Sequence, residues 1–295
     1  MQNKHLNHPE DTILTGDLSA ISLLYNFTDA SVKFDGAPAI VWGTDPATET
    51  FFVGTKAVFN KKKIRIAHSH DEIDQFYEGN VAEVLHACFE LLPDYPGIVQ
   101  GDFLGFGGSD SMKTNVVTYK FPETIPHLKI VIAPHTLYAT DDEMKDAYVI
   151  NDMVGMETFE DTEDVVFVQP TVDWVTGSSP APIINTDKVQ FMTDKEAAEA
   201  TKQINALIRD GVELTDSALF DILGCIYLTN LYQMVIEMKQ DLIDNFIVYN
   251  CPKAYIGSQQ INQEGFVISG DCGMMIKLVD RPIFSYANFT LPKSW

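Results

Sequence analysis

Val32-Lys33-Phe34-Asp35-Gly36-Ala37-Pro38-Ala39-Ile40 sets a lysine, an aspartate and a glycine between two apolar runs. Val32 and Phe34 alternate with Lys33 as strand residues do, Asp35-Gly36 is a turn signal, and Ala39-Ile40-Val41-Trp42 opens a second strand. The spacing predicts a hairpin with Lys33 at the end of a buried strand and Asp35 capping its own turn. Burial disfavours an ammonium and lowers its pKa, and an amine that loses its proton near neutral pH is a nucleophile. Lys-x-Asp-Gly by itself is better read as an ordinary hairpin with a solvent-facing lysine, so the rest of the chain has to decide.

Outward from this stretch, Asp17 to Tyr25 has the spacing of a short helix, and Phe51 to Phe59 reads as a strand pair or a bent strand through Gly54. A basic knot, Lys61-Lys62-Lys63-Ile64-Arg65, precedes a helix from Asn80 to Leu92 that Pro93 stops. Gly97 to Phe106, Val116 to Phe121, Leu128 to Tyr138 and Val165 to Val168 are strands; His135 lies in an apolar one and reads as a core histidine. Thr193-Asp194-Lys195-Glu196 is a capping box opening a helix that ends at Gly211, and a second, longer helix is expected from Ser217 to Asn245. Its methionine-bearing stripe reads as core packing. Residues 186–249 thus form a helical hairpin inserted into a β-rich body made of residues 1–185 and 250–295. Strands resume at Gly265 to Ile268 and Met274 to Val279 and continue towards Phe289. No task falls to Trp174 or Trp295.

The chain has 295 residues, 45% hydrophobic and 21% charged, the balance of a soluble globular protein. Residues 1–9 are polar with no apolar segment following, so no signal peptide is expected. The longest charge-free apolar stretch, Ile222 to Ile236, has 15 residues and is too short to span a bilayer. Cys88, Cys225, Cys251 and Cys272 are scattered without metal-site spacing, which points to reduced thiols and a cytoplasmic location. Net charge is −22, and residues 141–164 hold ten acids and one lysine. So acidic a surface repels nucleic acid and counts against a broad duplex-binding face, though a local basic groove remains open. The basic knot, with His68 and His70, suits such a groove, or equally an edge strand protected by lysines.

Four separated patches share one pattern, a charged residue at a strand edge with glycine close by: Lys33-x-Asp35-Gly36, Gly54-Thr55-Lys56, Gly101-Asp102-Phe103-Leu104-Gly105, and Glu264-Gly265-Phe266-Val267-Ile268 followed by Met275-Ile276-Lys277-Leu278-Val279. In this order they resemble the motifs of the covalent nucleotidyltransferase superfamily, the ATP-dependent RNA and DNA ligases and mRNA capping enzymes, and most of all bacteriophage-encoded RNA-ligase-like proteins. The resemblance covers roughly residues 30–106 and 264–288. Two positions depart from it. Asp102 stands where the family has glutamate, and Met275 and Val279 flank Lys277 where the family has a second lysine, a place Arg281 is a candidate to fill.

The resemblance implies an α+β fold, an antiparallel-sheet nucleotidyltransferase (ATP-grasp-like ligase) domain with a helical insertion. It implies ATP and Mg²⁺, with Lys33 made neutral by burial and by Lys277 and attacking the α-phosphorus, and Asp35 beside it. Gly36, Lys56 and Lys277 would hold the nucleotide, Asp102 and Glu264 the ribose or the metal. Lys61, Lys62, Lys63 and Arg65 would take the acceptor. The expected reaction joins 5′-phosphate and 3′-hydroxyl RNA ends through a lysine adenylate. A DNA nick ligase is disfavoured because the stretch after Lys277 is too short for the extra β-barrel those enzymes carry. Two alternatives stand beside it: an adenylyltransferase with a non-nucleic-acid acceptor, and a non-catalytic acidic inhibitor or DNA mimic with a degenerate nucleotide pocket.

Overall fold

A computed structural model describes residues 6–140, 143–152, 159–175, 184–270 and 273–293. Cys272, Trp295 and part of the acidic stretch lie outside them. Two short helices, α1 (Pro9–Thr12) and α2 (Ser19–Asn26), precede the strands β1 (Asp29–Lys33), β2 (Ala39–Asp45) and β3 (Thr50–Gly54). β2 and β3 form an antiparallel hairpin, but β1 and β2 do not, against expectation. The link between them is stitched to distant backbone instead. Asp35, rather than capping its own turn, accepts hydrogen bonds from the Val116 amide at 3.0 Å and Asn115 Nδ2 at 3.2 Å. The Ala37 amide donates to Phe103 O, and the Phe103 amide to Pro38 O, each at 3.1 Å.

The strand read through Phe59 ends at Gly54. Thr55 Oγ1 there accepts from the Ala57 amide and starts a 3₁₀ turn, Lys56–Phe59. Next come α3 (His70–Phe76), α4 (Gly79–Leu91), β4 (Ile98–Phe106), β5 (Ser111–Lys113), β6 (Thr118–Lys120), β7 (Ile130–Ala139), β8 (Tyr148–Asp152), β9 (Val165–Phe167) and β10 (Thr171–Asp173). The capping box is formed as expected and opens α5 (Asp194–Arg209). The single long helix expected from Ser217 is two, α6 (Asp216–Leu223) and α7 (Ile226–Asn245). Gly224 between them has φ 67°, a left-handed conformation that glycine adopts without a Cβ clash and that ends a helix. β11 (Ile247–Tyr249), β12 (Lys253–Ile256), β13 (Gln259–Ile261), β14 (Gly265–Ser269) and β15 (Met275–Val279) follow. Beyond β15 the chain is helical rather than extended, because Asp280 accepts from the Ile283 amide and starts a turn, Arg281–Ser285, that runs into α8 (Tyr286–Thr290).

The fold is α+β with mostly antiparallel sheets. The largest has the order β3-β2-β4-β7-β8, with β9 parallel to β7; a second is β1-β14-β15, a third β13-β12-β6-β5, and β10 pairs with β11. On the large sheet Ile40, Trp42, Val53 and Val99 pack under α3 and α4, while Val41, Phe52 and Ile98 face the other way. Trp174 lies 4.8 Å from the Phe27 ring and 6.4 Å from Phe246, in an aromatic group that continues to Phe266. Among the described residues no helix is long and apolar enough to cross a membrane.

The helices 194–245 hold no core of their own. Ile204, Leu219, Leu228 and Val235 belong to one buried cluster with Val32, Phe266, Ile268 and Leu278 of the small sheet. Buried charge ties the same parts together. Lys239 of α7 donates to Glu10 at 2.6 Å, and Arg281 donates to Glu10, Asp11, Tyr232 and Asn205 at 2.8–3.2 Å. Arg281, 2% exposed, is therefore committed to this cluster and does not stand in for a second phosphate-holding lysine. Excising residues 186–249 and joining the ends by a short linker is expected to give insoluble protein, because the small sheet loses the cover of its apolar face. A soluble product with a cooperative melt would show that the β-body holds its core unaided.

Candidate active site

In the small sheet, Lys33 pairs with Gly265 and Gly265 with Val279, while Ser31 pairs with Val267 and Val267 with Lys277. Alternation along antiparallel strands puts Lys33 and Lys277 on one face, opposite the buried Val32, Phe266 and Leu278. Glu264 enters at the head of β14, beside the end of β1. Lys33 Nζ donates to Glu264 Oε2 at 2.6 Å, with side-chain exposures of 30% and 9%. Glycine is needed at 265 because a Cβ there would fall 2.1 Å from Leu278 O.

The large sheet supplies Asp102, opposite Ala39 on β2. Gly36 lies so close above it that a Cβ would meet Asp102 Cβ at 2.3 Å. This crossing, one residue beyond Asp35 and three beyond Lys33, joins the end of the small sheet to the middle of the large one. Lys56 opens the 3₁₀ turn after β3, where its ammonium feels the charges of Asp102 and Lys33. Lys33, Asp35, Gly36, Lys56, Asp102, Glu264 and Lys277 thus come together from five separate segments.

His135 joins them, although its strand reads as core. The register of β4 on β7 slips between Gln100 and Gly101: Gln100 faces Thr136 and Gly101 faces Pro134, which leaves His135 as the extra residue of a bulge. Bulges re-aim side chains next to functional sites. His135 Nε2 lies 3.9 Å from Asp102, and the ring keeps 30% exposure. Its edges are tied from behind. Tyr138 donates to Gln100 Oε1 at 2.8 Å, which turns the Gln100 amide nitrogen to His135 Nε2 at 3.3 Å, and Nδ1 meets Thr136 Oγ1 at 2.7 Å. An amide nitrogen only donates, so Nε2 accepts and the ring is neutral. Burial, aided by Lys56 and Lys33, lowers its pKa to about 3. The signal in the sequence was Pro134, since proline inside a central strand marks a bulge.

Charge balance in the cleft differs from the expected neutral Lys33. Burial pulls the Lys33 pKa down, but Glu264, Asp102 and Asp35 outweigh it and the net shift is upward, so Lys33 is an ammonium. Lys277 goes the other way: burial and the Lys33 charge lower it against the pull of Glu264. Burial likewise lowers Lys56. Burial raises Asp102 to about 7 against the pull of Lys33. An anion entering here would meet two lysines whose ammonium forms are under-compensated, which fits a triphosphate. Among the described residues no group of three His, Cys, Asp or Glu is arranged to hold a metal ion. That donor set, Asp102 and Glu264 alone, fits a Mg²⁺ that arrives on phosphate oxygens, since Mg²⁺ is usually bound by one or two carboxylates plus substrate phosphates.

Lys61, Lys62, Lys63 and Arg65 stand outside this cluster, exposed on the loop that continues from the Lys56 turn. Ala67 exchanges two backbone hydrogen bonds with Val53, so the loop covers the free edge of β3, while Arg65 lies over the Tyr77 ring at 5.7 Å. Among the described residues none of the four forms an ion pair.

The Asp102 carboxyl holds its proton more tightly in the folded chain than in the unfolded one, at about 7 against 3.8. Its ionisation therefore opposes folding, increasingly as pH rises through that window. Asp102→Asn should stabilise the protein at about pH 8 by roughly 1–4 kcal/mol, with the gain shrinking as pH falls towards 4. Urea denaturation across pH measures this, and a gain independent of pH would show that Asp102 ionises freely.

No curated protein and no solved structure matches the chain. The profile of DUF6267, described as a family of unknown function, matches residues 3–223 and 221–293. These segments span nearly the whole sequence, and the chain belongs to the DUF6267 family.

Proposed function

We propose that this protein is an ATP-dependent, lysine-adenylating nucleotidyltransferase whose favoured acceptor is a 5′-phosphate RNA end. The observation that supports the reading is the convergence of Lys33, Lys56 and Lys277 with Asp102 and Glu264 in one cleft, from segments far apart in sequence. Lys33 Nζ attacks the α-phosphorus; an N–P bond forms as the bond to pyrophosphate breaks. The proton that must leave Nζ has a carboxylate 2.6 Å away, Glu264 Oε2. Lys56 and Lys277 hold phosphate oxygens, and Asp102 takes the ribose or the metal that arrives with the triphosphate. Asp102 and Glu264 would hold a Mg²⁺ brought by the triphosphate, which would supply charge neutralisation for the leaving pyrophosphate. In the second half-reaction a phosphate oxygen of the acceptor displaces Lys33 from phosphorus, and the 3′-hydroxyl then displaces AMP.

Incubation with ATP and Mg²⁺ is expected to raise the intact mass by one adenylate, located on Lys33 by peptide mapping and absent in Lys33→Ala. An adduct on another lysine would defeat the assignment. For the acceptor, attraction of a polyanion to so acidic a chain has to come from Lys61, Lys62, Lys63 and Arg65. Binding of 5′-phosphorylated RNA should weaken with salt at roughly −0.7 in log–log slope per phosphate contact. Replacing Lys61, Lys62 and Lys63 together by Ser should flatten that slope and leave lysine adenylation intact. An unchanged slope would remove the loop from the acceptor site and favour a non-nucleic-acid acceptor, which the net charge of −22 also suits.

A further inference from the structure

α3 and α4 cover the face of the large sheet that carries Ile40 and Trp42, whereas Asp102 pairs with Ala39 and by alternation belongs to the other face. On the outside of this helix pair, away from the Lys33 cleft, four side chains form a reciprocal set. His70 and Asp74 lie one turn apart on α3, and His86 and Glu90 one turn apart on α4. Each histidine turns one nitrogen to a carboxylate of the other helix. His86 Nε2 lies 2.9 Å from Asp74 Oδ1, and His70 Nε2 lies 3.5 Å from Glu90 Oε1. The remaining nitrogens meet, Nδ1 to Nδ1, at 2.6 Å. The ring centroids are 4.9 Å apart, which is that contact plus the two ring radii, and the ring planes differ by 23°. The rings therefore lie edge to edge, with the two Nδ1 atoms aimed straight at each other.

A carboxylate only accepts, so His86 Nε2 carries a hydrogen, and Glu90 favours one on His70 Nε2. Two neutral rings with hydrogens there would leave two lone pairs in contact, which is repulsive. A cation has to lie between them, and a proton fits at 2.6 Å. We propose that the pair exchanges this proton for a divalent transition ion of the imidazole-binding class, Zn²⁺, Ni²⁺ or Cu²⁺, held by His70 Nδ1 and His86 Nδ1. Ligand histidines almost always give their second nitrogen a partner such as a carboxylate, which fixes the ring and raises its basicity. Both histidines have one here. Nitrogens bound at about 2.0–2.1 Å to one tetrahedral ion stand roughly 3.3 Å apart, so the rings part by about 0.7 Å. His70 opens α3 and its side chain is 45% exposed, and that of His86 is 30% exposed, so both rings can tilt and water can complete the coordination. A two-histidine site of this kind needs no third protein donor, and none is arranged for one among the described residues. Neither helix contains lysine or arginine, while Asp71, Asp74, Glu83 and Glu90 are exposed on them and attract a dication. Bound there, the ion pins α3 to α4 above the buried Ile73 and Leu85.

Calorimetric titration of the untagged full chain with Ni²⁺, in the absence of ATP, tests this. One saturable site is expected, with a melting temperature that rises with Ni²⁺ concentration. Asp74→Asn should weaken binding roughly ten- to hundredfold by unseating an outer carboxylate, and His70→Ala and His86→Ala should each weaken it more. His68→Ala should leave it unchanged, because that ring is held between Asp45 and Glu72. Melts without metal check that the variants fold. Equal affinity in the wild type and both the His70 and His86 variants would assign the ion to other groups of this acidic chain and overturn the site. Loss of binding in His68→Ala would also overturn it. So would the absence of saturable binding to the wild type, which would leave the pair a proton clamp only. Lysine adenylation plays no part in the readout, so this result stands or falls apart from the catalytic proposal.

Discussion

The passage of the Gly36 backbone over Asp102 is the constraint on which the rest of the site depends. β1 belongs to one sheet and β2 to another, and the chain changes sheets in the few residues between Lys33 and Ala39. A side chain at position 36 would overlap Asp102 Cβ, so the approach is possible only for glycine. The hydrogen bonds between residues 37–38 and Phe103 fix the crossing, and the Asp35 carboxylate anchors it to the turn at Asn115 and Val116. Lys33 is thereby held at the junction of two sheets, where carboxylates from both reach it. The Asp-Gly that reads as a local turn is a long-range joint.

The electrostatics follow from that placement. Three lysines share a partly buried cleft with Asp102 and Glu264, and burial alone would discharge all five. They settle unevenly. Lys33 keeps its proton because Glu264 bonds it at 2.6 Å, Lys277 and Lys56 lie on the repelled side, and Asp102 holds its proton up to about pH 7. Lys33 is thus held as an ammonium by the carboxylates around it.

A second set of charges does structural work. Glu10, Lys239 and Arg281 are buried, and removing one member of such a set strands the others in a low-dielectric interior. They tie the N-terminal turn, α7 and the segment after β15 to one point. The Lys277 amide also donates to Asn7 O, so the N-terminal segment braces the strand that carries the cleft lysine. The helices cover the apolar face of β1-β14-β15 and the charged clamp sets their register on it.

Much of this was legible in the sequence because it is local. Alternation located most strands, three-to-four spacing and the Thr193–Glu196 box located α2, α4, α5 and the span of α6 and α7, and strand-edge charges with glycines close by marked Lys33, Lys56, Asp102, Glu264 and Lys277 as a set. What local pattern could not supply was partnership. That β1 pairs with β14, that Gly224 divides a helix whose apolar stripe runs on unbroken, and that Arg281 is consumed by Glu10 and Asp11 are decided by contacts across the whole chain. His135 reads as a core histidine in the sequence for the same reason, since a bulge is a property of two strands in register and one strand carries only its proline. The sequence by itself determined which residues have the chemistry for a charged cleft. The tertiary structure decided their protonation, because the charge of a lysine depends on how many carboxylates, from how many segments, the fold brings within reach of it.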